Sequence, residues 1–271
     1  RVTGLGIMGV DDSGRIERFV EKPAADEDIA DLRLPEAVAR RHRIAAGDER
    51  YLASMGIYVF NADALARVLE NREATDFGKE IIPGLVAETR ACAFPTDEFW
   101  EDIGTIRTYY QTSLGLTRMK PEFNFCDERR PIYTHRRDLP ATKVNSCYIY
   151  QSLIAEGSII TYANIMNSVV GIRTRIEPDA HLDGVVCMGA DTYESDQEIE
   201  QDRQNGIPEV GIGRGTHIRR AIIDKNARIG TDCSIGMDEE LRPDGDHDYY
   251  SVRDGIIVVH KNATIPNGTR I

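Results

Sequence analysis

Four polar side chains stand at the ends of apolar runs, where a sheet or a helix would hold them still. Lys22 closes the run Phe19-Val20-Glu21-Lys22-Pro23. A strand ending there places an ammonium at a sheet rim, and a compact charge with three donors suits a phosphate monoester. The bland alternative is a solvated Glu21–Lys22 pair at a strand end. Ser54 opens Ser54-Met55-Gly56-Ile57-Tyr58-Val59-Phe60, so its hydroxyl either faces a ligand or is simply a small group at a strand start. Asp76 precedes Phe77-Gly78-Lys79-Glu80-Ile81-Ile82-Pro83, where a carboxylate caps a helix. Asp102, in Trp100-Glu101-Asp102-Ile103-Gly104-Thr105, stands just before another helix start, where its charge would favour the helix N-terminus.

These side chains need rigid supports, and from Val2 to about Leu116 strand and helix patterns alternate. Gly4 to Val10 reads as a strand, Asp11-Asp12-Ser13-Gly14 as a turn, and Arg15 to Glu21 as the returning strand of a hairpin. The charged stretch from Ala24 to Asp48 reads as surface, partly helical. Tyr51 to Phe60 is apolar and β-branched enough for a buried strand. Asn61 is placed to cap a helix with Leu65, Val68 and Leu69 on one face, and a second helix covers Lys79 to Ala87. A third begins at Thr105 with Ile106, Tyr109, Tyr110 and Leu114 inward. Strands alternating with helices imply an α/β layer architecture. Thr117 to Lys143 carries Pro121, Pro131 and Pro140 among charges and reads as an extended linker.

Beyond the linker the period becomes six. Ile154, Ile160 and Met166 are so spaced, as are Ile176 and Leu182, Ile212 and Ile218, Ile223, Ile229 and Ile235, and Val259, Ile265 and Ile271. Four residues after most anchors comes a small residue (Ser158, Ala180, Thr216, Ala227, Cys233, Ala263, Thr269). Gly157, Asp179, Gly215, Asn226, Asp232, Asn262 and Gly268 stand immediately before these. One inward aliphatic residue per short strand, with corner residues that tolerate positive φ, is the grammar of a left-handed β-helix. Thr192 to Glu209 and Met237 to Asp254 break the period and are expected to leave the coil.

Composition narrows the function classes. The 271 residues are 41% hydrophobic and carry a net charge of −12, so no global positive field draws nucleic acid or an anionic membrane. Any bound anion needs a local cluster of Lys and Arg. No apolar run reaches the length of a membrane span. Cys92, Cys126, Cys147, Cys187 and Cys233 are odd in number and scattered, which fits unpaired thiols in a reducing compartment. Gly4-Leu5-Gly6-Ile7-Met8-Gly9 matches a dinucleotide fingerprint by letter, but a hairpin turn follows where a helix N-terminus is required. Gly211 to Gly215 reads as a β-helix corner. The six histidines lack metal-ligand spacing, and no nucleophile elbow or Cys/His pair suggests covalent catalysis.

The four quoted segments of the first half, in this order and followed by a β-helix, resemble the sugar-phosphate half of ADP-glucose pyrophosphorylases (glucose-1-phosphate adenylyltransferases). Met188-Gly189-Ala190-Asp191, Ile222-Ile223-Asp224-Lys225-Asn226-Ala227-Arg228-Ile229-Gly230 and Lys261-Asn262-Ala263-Thr264-Ile265-Pro266 extend the resemblance over essentially the whole chain. It implies an α/β organisation: residues 1–118 as the C-terminal part of a Rossmann-like nucleotidyltransferase domain, 119–143 as linker, and 144–271 as a left-handed parallel β-helix for regulation and oligomerisation.

The resemblance assigns Lys22 to the phosphate of glucose 1-phosphate, Glu21 to a sugar hydroxyl, Ser54 to the phosphate and Asp102 to Mg²⁺, with Asp76 positioning the sugar or capping its helix. Lys22 and Asp102 are then the catalytic pair. A lone Asp is sensible for Mg²⁺, which takes one or two carboxylates with phosphate oxygens and water. The implied reaction is in-line attack of glucose 1-phosphate on the α-phosphorus of ATP, giving ADP-glucose and pyrophosphate for glycogen or starch synthesis. The Gly-rich GGxGxRLxPLT loop and the base-binding residues are not in these 271 residues. With Arg1 opening on an apolar run, the chain is expected to begin inside a longer protein and to be inactive alone.

Arg136, Arg137, Lys143, Arg219, Arg220, Lys225, Arg228 and Lys261 concentrate cations in the linker and coil. By resemblance Arg137, Lys143, Lys225 and Lys261 bind a phosphorylated metabolite effector, although Leu139-Pro140-Ala141-Thr142 departs from the two prolines of many relatives. Solvated corner cations are the competing reading. A homotetramer in a bacterial cytoplasm, or else in a plastid, is expected. Rival readings are a non-catalytic regulatory subunit of the same family, another sugar-1-phosphate nucleotidyltransferase, or a β-helix acyltransferase using His181 or His217.

Overall fold

A computed structural model describes residues 4–44, 50–70, 74–238 and 242–271. The expected start at Arg1, the 45–48 end of the charged stretch and residues 239–241 of the second excursion lie outside them. The chain forms two compact units, Arg1–Trp100 and Glu101–Ile271.

The first unit is built on a three-stranded antiparallel sheet in which β1 (Gly6–Val10) lies between β2 (Ile16–Glu21) and β3 (Leu52–Ala53). The hairpin turn follows from Asp11, whose carboxylate accepts the N–H groups of Ser13 and Arg15 at 2.8 and 2.9 Å, while Gly14 supplies φ +87°. Ile7 and Val10 on β1 are buried, as are Leu32 and Val38, the latter on α1 (Glu36–Arg41). Gly9 is small because Leu32 presses on it: a Cβ there would stand 2.8 Å from the Leu32 side chain. The GxGxxG letters thus belong to a strand that runs into a hairpin.

The expected strand over Tyr51 to Phe60 is corrected. Pairing with β1 stops at Ala53, the Ser54 N–H still reaches the Gly6 carbonyl at 2.7 Å, and Gly56 at φ +69° then breaks the extended line. Ile57 and Val59 are 72% and 96% exposed, with no partner strand among the described residues. Asn61 occupies the N-cap of α2 (Ala62–Leu69) without a side-chain cap bond, and Leu69 is exposed. A π-helical turn (Phe77–Ile81) leads into α3 (Ile82–Glu88), and Ile81 of the turn and Ile82 of the helix are both buried.

The second unit is a three-sided parallel β-helix built on three ladders in strict register, which are buried from Ile160, Ile165 and Val170 onward and leave Val144 and Ile149 of the first turn exposed. Val144, Ile160, Ile176, Ile212, Ile229 and Ile265 stack on one side. Ile149, Ile165, Leu182, Ile218 and Ile235 line the second, and Ile154, Val170, Cys187, Ile223 and Val259 the third. All seven expected corner residues adopt positive φ, from 53° at Asp232 to 73° at Gly157. The small residues after five of them (Ser158, Ala180, Thr216, Ala227 and Cys233) are at most 3% exposed, because any larger side chain would swell the corner.

Met166 is the exception among the expected anchors. It lies half-buried between Tyr150 and Asp183, and Ile165, five residues after Ile160, points inward instead. Several sides of the coil take five residues, not six, so a strict six-residue count drifts off the interior there.

Helix α4 (Ile106–Gly115) starts at a capping box between Thr105 and Thr108. Read from the sequence as the last helix of residues 1–118, it lies in the second compact unit. Its Ile106, Tyr109, Tyr110 and Leu114 cover Val186, Ile222 and Ile256 on the outside of one coil face. The excursions fold back on the coil. One holds α5 (Asp196–Gln204), capped by Ser195 and Glu198; the other adds strand Tyr250–Arg253 antiparallel to Ile256–Val259, with Gly245–Asp246 antiparallel to Tyr250–Arg253 on its far side.

Candidate functional site

The hairpin register fixes one rim of the first sheet. Glu21, the last residue of β2, pairs with Gly6, the first of β1, and Ser54 continues β3 beside Gly6. Lys22 follows at φ +51°, directly before Pro23, a position where L-residues rarely leave the extended region. Backbone strain of this kind is retained where surrounding structure fixes it, and it turns the chain sharply at the lysine.

The Glu21 carboxylate lies in a slot between two glycines. A Cβ on Gly6 would stand 2.6 Å from Glu21 Oε2, and one on Gly78 would stand 3.1 Å from the same atom. Asp76 holds the Gly78 end of the slot by accepting the N–H groups of Gly78 and Lys79 at 2.8 and 3.0 Å. Those bonds, the Lys79 N–H foremost, with the charges of Lys79 and Lys22, keep the Asp76 carboxyl below its usual range. Ser54 Oγ lies 3.3 Å from the Tyr58 hydroxyl, and the Tyr58 ring stacks at 18° on Phe77. Glu21, Lys22, Ser54 and Asp76 therefore meet on one rim, with an aromatic wall beside them. Sequence reading missed Gly6, Gly78, Tyr58 and Phe77; the glycines become meaningful only once the register puts Glu21 between them.

Asp102 lies in the second unit, exposed, three residues before the Thr105 cap of α4. Thr105 already accepts the Thr108 N–H at 3.1 Å, so the helix start does not depend on the Asp102 carboxylate. Among the described residues no three His, Cys, Asp or Glu side chains converge as a metal cage. A single exposed carboxylate fits Mg²⁺ only where phosphate oxygens and water complete the six ligands.

The four expected effector residues do not form one cluster. Lys225 and Lys261 do converge, on the carboxylate of Asp191, at 2.6 and 3.7 Å. Lys143 lies four hydrogen-bonded strands from Arg228 along the coil, roughly 19 Å at the usual strand spacing. Arg137 is exposed and donates to the His135 carbonyl at 3.3 Å. Arg228 is engaged with Glu194 and Asp202 at 2.8 and 3.0 Å, which fastens the α5 excursion to the coil.

Residues 1–119 match the nucleotidyl transferase family model, and residues 137–270 match the model of the GLGC left-handed parallel beta-helix domain. The chain joins a nucleotidyl transferase domain to a GLGC-type β-helix domain. That pairing indicates a glucose-1-phosphate adenylyltransferase-like family of sugar-1-phosphate nucleotidyltransferases. The rim bearing Lys22 belongs to the nucleotidyl transferase domain, and the Lys225–Lys261 pair to the GLGC-type domain. Among the described residues no helix is long and apolar enough to cross a membrane.

Proposed function

We propose that this chain supplies the sugar-phosphate side of an ADP-glucose-forming nucleotidyl transfer, within a longer protein that carries the nucleotide-binding loop. The observation that carries the reading is the convergence of Glu21, Lys22, Ser54 and Asp76 on one sheet rim. Lys22 holds the phosphate of glucose 1-phosphate as a charge-assisted donor, and Ser54 adds a neutral hydrogen bond to the same group. Glu21, fixed between two glycines, accepts from a sugar hydroxyl. Asp76 sets the loop that closes the slot.

A phosphate oxygen of glucose 1-phosphate attacks the α-phosphorus of ATP, the bond to pyrophosphate breaks, and no protein nucleophile takes part. The rim contributes orientation and charge neutralisation. Asp102 would hold Mg²⁺ together with phosphate oxygens and water, and the ion would supply charge neutralisation at the α-phosphorus of the adenylyl group being transferred. In this reading Lys225 and Lys261 form an anion subsite for a phosphorylated effector. Five free cysteines, two of them exposed, support a reducing compartment, and a bacterial cytoplasm with a homotetrameric assembly completes the proposal.

Product analysis tests it. The longer protein, given a panel of nucleoside triphosphates and sugar 1-phosphates, should release pyrophosphate fastest with ATP and glucose 1-phosphate, and the 271-residue chain alone should release none. Preference for a different nucleotide or sugar would redirect the assignment within the family.

A further inference from the structure

We propose that Asp191 is the resident counter-anion of the Lys225–Lys261 pair, and that a phosphate-bearing ligand occupies this corner only by displacing it. The proposal rests on the reading of the two lysines as an anion subsite and states how that subsite is regulated.

The corner is built by stacking. Asn262 donates its N–H to the Lys225 carbonyl and Asn226 donates its own to the Gly189 carbonyl, so successive turns of the coil bring Asp191, Lys225 and Lys261 into one column. Both Asn226 and Asn262 stand at positive φ, 60° each, which turns their amides along the column. Asn226 Nδ2 donates to Asp191 Oδ2 and to Asn262 Oδ1, both at 3.0 Å, and Asn226 Oδ1 accepts the Asp191 N–H at 2.8 Å. Lys225 Nζ completes the set at 2.6 Å from Asp191 Oδ1, with Lys261 Nζ 3.7 Å from Oδ2.

A carboxylate that takes two ammonium groups and a carboxamide N–H already has the environment of a bound oxyanion. Asp191 is only half-exposed, at 43% of its side chain, so it does not simply wave in solvent. The nearby Asp224 is committed elsewhere, accepting the Lys225 N–H at 2.6 Å. An incoming phosphate that used both lysines would face the Asp191 charge at contact distance. It must therefore break the Lys225–Asp191 bond and turn the carboxylate out.

The test measures binding of inorganic phosphate to the 271-residue chain by calorimetry, in a Lys22→Ala background so that the sheet rim does not contribute. Asp191→Asn keeps the shape and the Asn226 contact while removing the charge, and Asp191→Ala serves if the first variant does not fold. Removal of the charge is expected to tighten phosphate binding about threefold to tenfold, the range for one partly exposed charge contact. Lys225→Ala placed in the Asp191→Asn protein should abolish the gain. Asp196→Asn, the same charge change on α5, should leave the dissociation constant within about twofold. Unchanged or weaker binding in both Asp191 variants overturns the proposal, as does an equal gain from Asp196→Asn. In those cases a loss of binding on Lys225→Ala in the parent protein still leaves the lysine pair as an anion subsite. Indifference of binding to Lys225→Ala and Lys261→Ala removes that subsite and the proposal with it.

Discussion

The Tyr110 hydroxyl donates a 2.6 Å hydrogen bond to the carbonyl of Gly184, joining the middle of α4 to the coil strand His181–Cys187. Gly184 adopts φ +63°, and a Cβ there would stand 3.0 Å from the Tyr110 oxygen, so the glycine both turns the chain and admits the phenol. Arg107 adds a 2.8 Å ion pair to Asp254 at the N-terminal end of the helix.

Burial pushes the Tyr110 hydroxyl up to about 12. In a spectrophotometric titration of the folded chain, one of the 11 tyrosines should ionise late, and Tyr110→Phe should remove that component. The folded-state value lies above the ordinary tyrosine value of about 10. The linked stability is thus complete below pH ~10 and is lost as pH rises towards about 12. Tyr110→Phe should abolish this alkaline loss and cost about 0.5–1.5 kcal/mol at neutral pH. A normal titration of all tyrosines would mean that α4 does not stay docked.

Asp102→Asn separates a metal ligand from a helix-end charge. Thr105 and Thr108 already cap α4, so the melting temperature should move little, whereas Thr105→Ala should cost about 0.5–2 kcal/mol. In the longer, active protein, Asp102→Asn should lower kcat strongly and raise the Mg²⁺ concentration needed for half-maximal rate. A variant with full kcat would leave Asp102 as a solvated charge.

The coil interior and the exposed segment after β3 should respond very differently to loss of an aliphatic side chain. Ile212 sits in the middle of its ladder at 2% exposure, so Ile212→Ala should cost about 2–5 kcal/mol. Val59→Ser in the 271-residue chain should stay within about 0.5 kcal/mol, because the side chain is 96% exposed. Denaturant melts monitored by circular dichroism give both numbers.

The coil was the most legible part of the sequence. Its corners demand positive φ and small buried neighbours, and residues such as Asn226-Ala227 and Asp232-Cys233 announce both requirements locally. The five-residue sides were hidden because Ile165 and Met166 are both apolar, and only pairing with Leu182 and Asp183 decides which points inward. Apolar composition alone misread Ile57 and Val59, since a strand also needs partners, and pairing ends at Ala53. The rim residues Glu21 and Lys22 were marked by sequence, while the glycine slot around Glu21 depended on β1–β2 register. Asp191 gave no local signal, because its partner Lys225 lies 34 residues away and reaches it only by coil stacking.

The direct test of the sugar-phosphate rim is a comparison of two Michaelis constants in the Lys22→Ala variant of the longer protein. Loss of one charge-assisted phosphate contact is worth about 2–4 kcal/mol, so KM for glucose 1-phosphate should rise roughly 30- to 1000-fold. KM for ATP should stay within about threefold, since Lys22 makes no uniform contribution to nucleotide binding in this scheme. An equal rise in both constants, or none in that for glucose 1-phosphate, would contradict the placement of the sugar phosphate at Lys22.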